Sequence, residues 1–354
     1  MKVLVTGGAG YIGSHTVVSL IEKGYDVVIA DNFCNSSRSV IDNIEKITGV
    51  RPTVYDYDLC EAEKVEAIFA DFQYAAGDGA AVGGSAANCE IEAVIHFAGY
   101  KAVGESVKEP MKYYRNNLVS TMNLLDAMKK YGVKNLIFSS SATVYMTPQL
   151  EELLAENPAG IKEEFSNAAV NPYGSTKLMI EIMLKDLYAA DSSFNIGILR
   201  YFNPIGAHKS GLIGDDPTGI PNNLLPYVAK VATGELEVLS VFGDDYDTPD
   251  GTCIRDYIHV VDLAEGHIAM LEHLDGLSIY NLGTGKGCSV LDIVKAFESA
   301  TGQKVAYKIA PRRDGDVAKY WADASKAKAE LGWSAKYGIE EMCRDTWGFN
   351  SRCI

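Results

Sequence analysis

The stretch "KVLVTGGAGYIG", residues 2–13, does most to limit the folds open to this chain. Three consecutive apolar residues, Val3 to Val5, run into Thr6 and a glycine-rich turn, and a helical pattern begins at Tyr11. A buried strand that turns over glycines straight into a helix is the opening of a βαβ unit. Gly8, Gly10 and Gly13 fit G-x-G-x-x-G, and Gly7, Gly10 and Gly13 fit G-x-x-G-x-x-G. Small residues are required there if a pyrophosphate is to reach backbone N–H groups and the positive helix end with no side chain between. A glycine turn without a ligand is the plain alternative for a lone motif. The strand, turn and helix around it favour a bound dinucleotide. Asp31 ends the next apolar run, 18 residues after Gly13, where a carboxylate can accept ribose hydroxyls and repel a 2′-phosphate, which favours NAD over NADP. Asp58, at the end of a third run, could meet the adenine or cap a turn.

The first 200 residues repeat this alternation. "KVLVTG", "YDVVIAD", "TVYDYDL", "EAVIHFAG", "KNLIFSSSA" and "NIGILRYFN" read as strands, with helices near 11–23, 37–48, 61–72, 112–130 and 173–190. Nearly uniformly apolar strands between helices predict an α/β fold, a doubly wound parallel sheet covered on both faces. After about residue 204 loops rich in Asn, Pro, Asp and Gly separate helices near 223–234, 261–273, 289–301 and 338–349, a second, smaller α/β lobe. We divide the chain at 1–203 and 204–354, with some segments of the second part packing back on the first. The string "NLGTGKG" fails as a P-loop, because Tyr280 stands in place of the first glycine and Gly287 in place of Ser or Thr, and it reads as a loop.

A formal charge of -15 opposes binding to nucleic acid or an anionic membrane, so a phosphate-bearing ligand needs a local cluster of donors. No apolar run approaches a bilayer span, and the opening residues lack the core of a signal peptide. Seven cysteines with no C-x-x-C suggest reduced thiols and a cytoplasmic protein. No H-E-x-x-H or similar spacing points to a metal.

The chemistry centres on "NPYGSTKLM", residues 171–179. Tyr173 and Lys177, four apart, share one helix face, a spacing that chance alone also produces. "SSSATVY" closes the fifth strand and puts Ser139 and Ser141 at the ligand-facing edge, where a hydroxyl could hold a substrate oxygen while Tyr173 exchanges its proton. A tyrosine with a pKa of about 10 is a poor base near neutrality. A positive charge about 4 Å away at an effective dielectric of about 20 is worth roughly three pKa units at most, and Lys177 with an oxidised nicotinamide could supply it.

Glycine fingerprint, strand-end serine and Y-x-x-x-K in this order resemble the extended branch of the short-chain dehydrogenase superfamily, and within it the UDP-sugar 4-epimerases. The resemblance covers nearly the whole chain and is carried by "TGGAGYIGSH", "HFAGYKAVGES", "SSSATVY", "NPYGSTKLM", "LRYFNPIGAH", "IPNNLLPYV", "GTCIRDYIHVVDLA", "YNLGTGKG" and "RRDGDVAKYWADASKA". It implies a Rossmann-type sheet and NAD contacts from Gly7, Gly10, Tyr11, Ile12, Gly13, Asp31, Asn32, Asn35, Asp58, Leu59, Phe97, Ala98, Lys101, Asn116, Ser139, Tyr173, Lys177 and Phe202. It places UDP-sugar contacts at Ser141, Tyr173, Asn203, Asn223, Leu224, Arg255, Arg313, Asp316 and Tyr320. Arg255 and Arg313 would then be the phosphate cluster rather than ordinary surface ion pairs.

The implied activity interconverts UDP-galactose and UDP-glucose. Tyr173 takes the 4-hydroxyl proton as hydride passes to NAD, the 4-keto sugar turns over, and hydride returns to its other face. The rival enzymes are another UDP-sugar 4-epimerase, such as one acting on UDP-GlcNAc, and a nucleotide-sugar 4,6-dehydratase, although Ala142 and Thr143 stand where the latter carries an acidic pair after the active hydroxyl. A catalytically dead NAD sensor is a rival of another class, against which the intact Ser141, Tyr173 and Lys177 argue. The resemblance also implies a homodimer through the helices at 112–130 and 173–190. Three features depart from the pattern: Met146 in place of a common glycine, an Ala/Gly-rich stretch at 75–87, and a stretch at 146–170. The stretch at 75–87 precedes a strand and belongs at the edge opposite the strands' carboxyl ends. That at 146–170 leaves the carboxyl-end face and could shape a site.

Overall fold

The computed structural model describes residues 1–74, 89–147, 149–165, 167–217, 221, 223–313 and 316–353. The Ala/Gly-rich stretch at 75–87 therefore lies outside the described residues.

The first part runs β1 (Lys2–Thr6), α1 (Tyr11–Glu22), β2 (Asp26–Ala30), α2 (Ser39–Thr48), β3 (Thr53–Tyr55), α3 (Ala62–Asp71), β4 (Ile91–His96), α4 (Val103–Lys108), α5 (Pro110–Tyr131), β5 (Asn135–Ser141), α6 (Leu150–Glu156), α7 (Pro172–Ala190) and β6 (Asn195–Tyr201). It continues through β7 (Asn203–Ile205), α8 (Leu224–Ala232), β8 (Leu239–Phe242), β9 (Ile254–His259), α9 (Val260–Glu272), β10 (Leu277–Leu282), β11 (Gly287–Ser289), α10 (Val290–Thr301), β12 (Tyr307–Ala310), β13 (Lys319–Tyr320), α11 (Ser325–Glu330) and α12 (Ile339–Asn350).

The main sheet has seven parallel strands in the order β10-β6-β5-β4-β1-β2-β3. Val3, Leu4 and Val5 are fully buried because both faces are covered. Val17 and Leu20 of α1, Ile41 and Ile44 of α2, and Leu263 and Ile268 of α9 pack on one face. Val65 and Ile68 of α3, Leu124 and Met128 of α5, and Ile180 and Leu184 of α7 pack on the other.

Six strands are the six apolar runs of the sequence. The seventh, β10, takes in Tyr280 to Leu282 and β11 begins at Gly287, so the reading of "NLGTGKG" as a loop holds only for residues 283–286. In the smaller lobe β9 pairs with β7, β11 and β13, β8 pairs with β12, and α8, α10 and α12 share a core with Ile293, Phe297 and Met342.

The chain winds from β1 to β2 and β3 in one direction and crosses back to β4 on the other side of β1. The crevice beyond Thr6 and His96 is therefore the switch point at which open α/β sheets receive ligands. No described helix is long and apolar enough to cross a membrane.

Candidate active site

Backbone geometry fixes the first half of the site. Gly7 has φ +69°, and a Cβ there would lie 2.8 Å from the Ala98 nitrogen. A Cβ on Gly13 would lie 2.2 Å from the Gly7 carbonyl oxygen. Both glycines are thus demanded by close approach, one of the turn to β4's exit and one of α1 to the turn. Gly10 caps α1 without a side-chain bond, leaving the Tyr11 and Ile12 end of the helix to offer its amides outward. This glycine cradle suits a pyrophosphate.

Asp31 is buried, and burial raises its carboxyl above the ordinary range. Hydrogen bonds from the Phe33 amide (2.9 Å), the Ala9 amide (3.0 Å) and the Ser36 hydroxyl (3.0 Å) counter that shift. They fill three of roughly four acceptor positions and fix the carboxylate at the end of β2. Asn32 donates to Asp58 (3.3 Å), and Asp58 accepts the Cys60 amide (2.8 Å). Leu59 is buried, its carbonyl held by Asn123 (2.9 Å), and Asn116 contacts the Cys60 sulfur (3.6 Å), while Asn35 stays exposed. Phe97 and Ala98 are half-buried at the exit of β4.

The second half lies where β5 meets α7. Asn171 caps α7 through the Gly174 amide (2.8 Å) with Pro172 as the first helical residue, an arrangement worth about 1 kcal/mol that fixes where the first turn points. Tyr173 and Lys177 sit one turn apart on the buried face. The Lys177 ammonium donates to the Ser139 carbonyl (2.6 Å) and lies 6.0 Å from the centre of the Tyr173 ring. Burial pushes the Tyr173 phenol up to about 12, and its hydrogen bond with Ser141 offsets part of that. Burial lowers Lys177 to about 8 against the opposing pull of Glu181. A phenol so placed keeps its proton unless cations are added, and Lys177 is a cation that yields a proton easily. The Ser139 hydroxyl bonds the Tyr201 hydroxyl.

The remaining positions fall into two groups. Phe202 faces Tyr320 with ring centres 5.6 Å apart, and the Tyr320 hydroxyl donates to Asn203 (3.3 Å). The Arg255 guanidinium lies 4.9 Å from the Tyr320 ring centre and reaches Asp316 at 3.5 Å. These five form one continuous wall from β6 to β9 and β13. Asn223 instead donates to Asp215 (2.7 Å), whose carboxylate is 3.7 Å from the Lys101 ammonium, and Leu224 opens α8 beside them. Arg313 lies exposed over the Phe242 ring at 3.9 Å.

Residues 3–283 match the model of the NAD dependent epimerase/dehydratase family. The chain belongs to that family. A Bacillus subtilis relative, a UDP-glucose 4-epimerase, is 55% identical over 99% of this chain and 97% of its own length. The crystal structure of the UDP-glucose 4-epimerase from Bifidobacterium longum, in complex with NAD+ and UDP, matches with a TM-score of 0.89. Its sequence is 51% identical, and the match covers 99% of this chain and 98% of that one. The UDP-Glc/GlcNAc 4-epimerase of Campylobacter jejuni matches with a TM-score of 0.80 and 34% identity, over 99% of both chains.

Three contributors to this epimerase/dehydratase site escaped the sequence reading. Asn117 donates to Thr176 (3.0 Å) and to the Tyr100 carbonyl (3.1 Å), tying α5 to α7; the doubled Asn at 116–117 was its only signal. Tyr201 precedes Phe202 in "RYFN" and could have been found from that adjacency. Asp215 sits in a loop, and nothing in its spacing marks it.

Proposed function

We propose that this chain interconverts UDP-galactose and UDP-glucose by transient oxidation at sugar carbon 4, with NAD as its resident cofactor. The observation that carries this reading is the meeting of Ser141, Tyr173 and Lys177 at the carboxyl end of β5, on the same sheet edge as the glycine cradle. The donor set fits NAD: Gly7, Gly10 and Gly13 clear the pyrophosphate path, the uncapped start of α1 faces it, and Asp31 opposes a 2′-phosphate.

Bound NAD supplies the acceptor and donor of hydride for carbon 4. Tyr173 holds the proton of the 4-hydroxyl, and Ser141 holds the oxygen through the keto stage. Lys177 lowers the cost of the phenolate. In the proposed division of labour residues 1–203 hold NAD and 204–354 hold the UDP-sugar, with α9 and β10 packed back on the first part. Asn203, Asn223, Leu224, Arg255, Arg313, Asp316 and Tyr320 are the proposed UDP-sugar contacts, and the two arginines the counter-charges to the diphosphate in a chain of charge -15.

We place the protein in the cytoplasm, where its six described free cysteines would stay reduced. A homodimer is supported by Met111 and Met122 on α5 and Met179 and Ile182 on α7, apolar side chains between 41% and 55% exposed on helices that pack together. Proton NMR of UDP-galactose mixed with the purified protein and no added cofactor tests the activity. UDP-glucose should appear, and should not when Tyr173→Phe replaces the wild type; a protein holding NAD that leaves UDP-galactose untouched would refute the reading.

A further inference from the structure

The three serines that end β5 each meet one residue of α7. Ser141 neighbours Tyr173 and favours its ionised phenol, the Ser139 carbonyl accepts from Lys177 (2.6 Å), and the Ser140 hydroxyl donates to Glu181 (2.6 Å). Tyr173, Lys177 and Glu181 are spaced by four, so they form a single ladder along the helix face. The proposed reaction uses the first two rungs and leaves the third, a fully buried carboxylate, without a task.

Glu181 is held from its far side. Arg200 on β6, also fully buried, donates through Nε to Oε1 (2.9 Å) and through Nη2 to Oε2 (2.5 Å). Its Nη1 reaches the Tyr145 hydroxyl (2.8 Å) and the Glu163 carbonyl (2.9 Å). Stability gives little reason to keep such a pair, because buried ion pairs are often replaced by apolar residues at no loss. The bidentate fork does leave the carboxylate unable to swing away from the ladder.

We propose that Glu181 is a positioning residue for the Tyr173–Lys177 pair: locked by the Arg200 fork and bonded to Ser140, it fixes the strand end whose Ser139 carbonyl receives the Lys177 ammonium and sets a buried negative charge one helical turn away. The proposal rests on the reading of the preceding section. Burial acts to discharge Lys177, and Glu181 is the group that opposes it. The Phe138 ring, 4.8 Å from the ammonium, favours its charge but carries none of its own, and the remaining groups around Lys177 do not take this part. His96 on β4 is held neutral by burial, and Tyr201 on β6 keeps its proton for the same reason. From α5, Asn117 and Thr121 carry no charge, and the Tyr113 hydroxyl is committed to Glu105 of α4 (2.7 Å). Arg200 and, at the rim, Lys185 (3.8 Å from Glu181) are cations, which repel Lys177 once the carboxylate is gone.

The test is the pH profile of kcat for the holoenzyme. The alkaline limb reports loss of the Lys177 proton, and removal of a neighbouring charge should move it by about one pH unit. Glu181→Gln should move it to lower pH. Because that variant leaves Arg200 buried without a counter-charge and could fail to fold, the double variant Glu181→Gln/Arg200→Met is measured beside it and should shift the same way by less, since it also removes the more distant Arg200 cation. Glu181→Asp keeps the charge on a shorter arm, and should lower kcat while its limb stays at the wild-type pH. A folded, active double variant with the wild-type limb would overturn the proposal and reduce Glu181 to a strut. Wild-type protein without epimerase activity would instead overturn the functional reading beneath it.

Discussion

Lys177→Met should make this protein more stable at neutral pH while disabling it. The buried ammonium is lowered from an ordinary 10.5 to about 8, about 2.5 units, so holding the charge inside the fold costs about 3 kcal/mol. Methionine fills a similar volume without a charge, but it forfeits the bond to the Ser139 carbonyl, a loss of about 1 kcal/mol. The net expectation is a gain of about 2 kcal/mol in unfolding free energy at neutral pH. The folded-state pKa lies below the unfolded one, so the unfolded chain binds more protons between about 8 and 10.5, and wild-type stability rises with pH across that window. The variant's advantage should therefore be full below about pH 8, shrink above it, and by about 10.5 give way to a deficit of about 1 kcal/mol from the lost hydrogen bond. Urea unfolding of both proteins, freed of nucleotide so that cofactor affinity does not enter, measures it directly. Turnover should fall by roughly 10²-fold or more. A variant less stable than wild type at neutral pH, or a difference that ignores pH, would mean that Lys177 is not charged at a cost in the folded state.

Gly13→Ala should displace α1 and release NAD, because its Cβ would sit 2.2 Å from the Gly7 carbonyl; copurifying nucleotide and the melting temperature report it, and a normal NAD content would disprove the close packing. Asp31→Ala removes three hydrogen bonds and the charge facing the ribose, and should narrow the NAD-over-NADP preference; titration with each dinucleotide decides, an unchanged ratio counting against the assignment. If Tyr320 borders the sugar's 2-substituent, as the family resemblance implies, its ring leaves room for a hydroxyl but not an N-acetyl group; Tyr320→Cys clears that ring, packed on Phe202 and bonded to Asn203, and should raise kcat/KM for UDP-GlcNAc relative to UDP-glucose, whereas wild-type protein that already treats both alike would defeat this steric argument.

How far the site could be read beforehand follows from which contacts are local. β1, its glycine turn and α1 are contiguous, and the turn's demand for glycine is written in twelve residues. The ladder on α7 was half legible: Tyr173 and Lys177 come four apart in one helix, but Glu181 has meaning only beside Arg200, which lies on β6. β10 went unread as a strand because it is amphipathic at best, "LSIYNL", and owes its place to pairing with β6, some 80 residues earlier in the chain. β13 is two residues long, and no periodicity exists in two residues.

The segment at 146–170 shows the same limit from the other side. Its exit at the carboxyl-end face followed from the strand before it, and α6 buries Leu150 and Leu154 at the i, i+4 spacing of a helix packed on one side. What it packs against could not be read, because that surface is made some 160 residues later. Glu151 accepts the Ala318 amide (3.4 Å), the Ile161 amide donates to the Trp321 carbonyl (2.9 Å), and the Asp323 amide donates back to Ile161 (2.8 Å). Gly160, at φ +120°, brings the two backbones so close that a Cβ would lie 2.5 Å from the Ala322 carbonyl carbon. These bonds bracket Tyr320 on both sides in sequence, and Met146, Leu150, Leu154 and Ile161 share its apolar cluster with Phe202. The ring that walls the sugar side of the proposed site is therefore held by backbone bonds to this segment as well as by its own contacts. The stretch that the sequence reading set apart is fitted into the wall, and the freedom of Tyr320 depends on it.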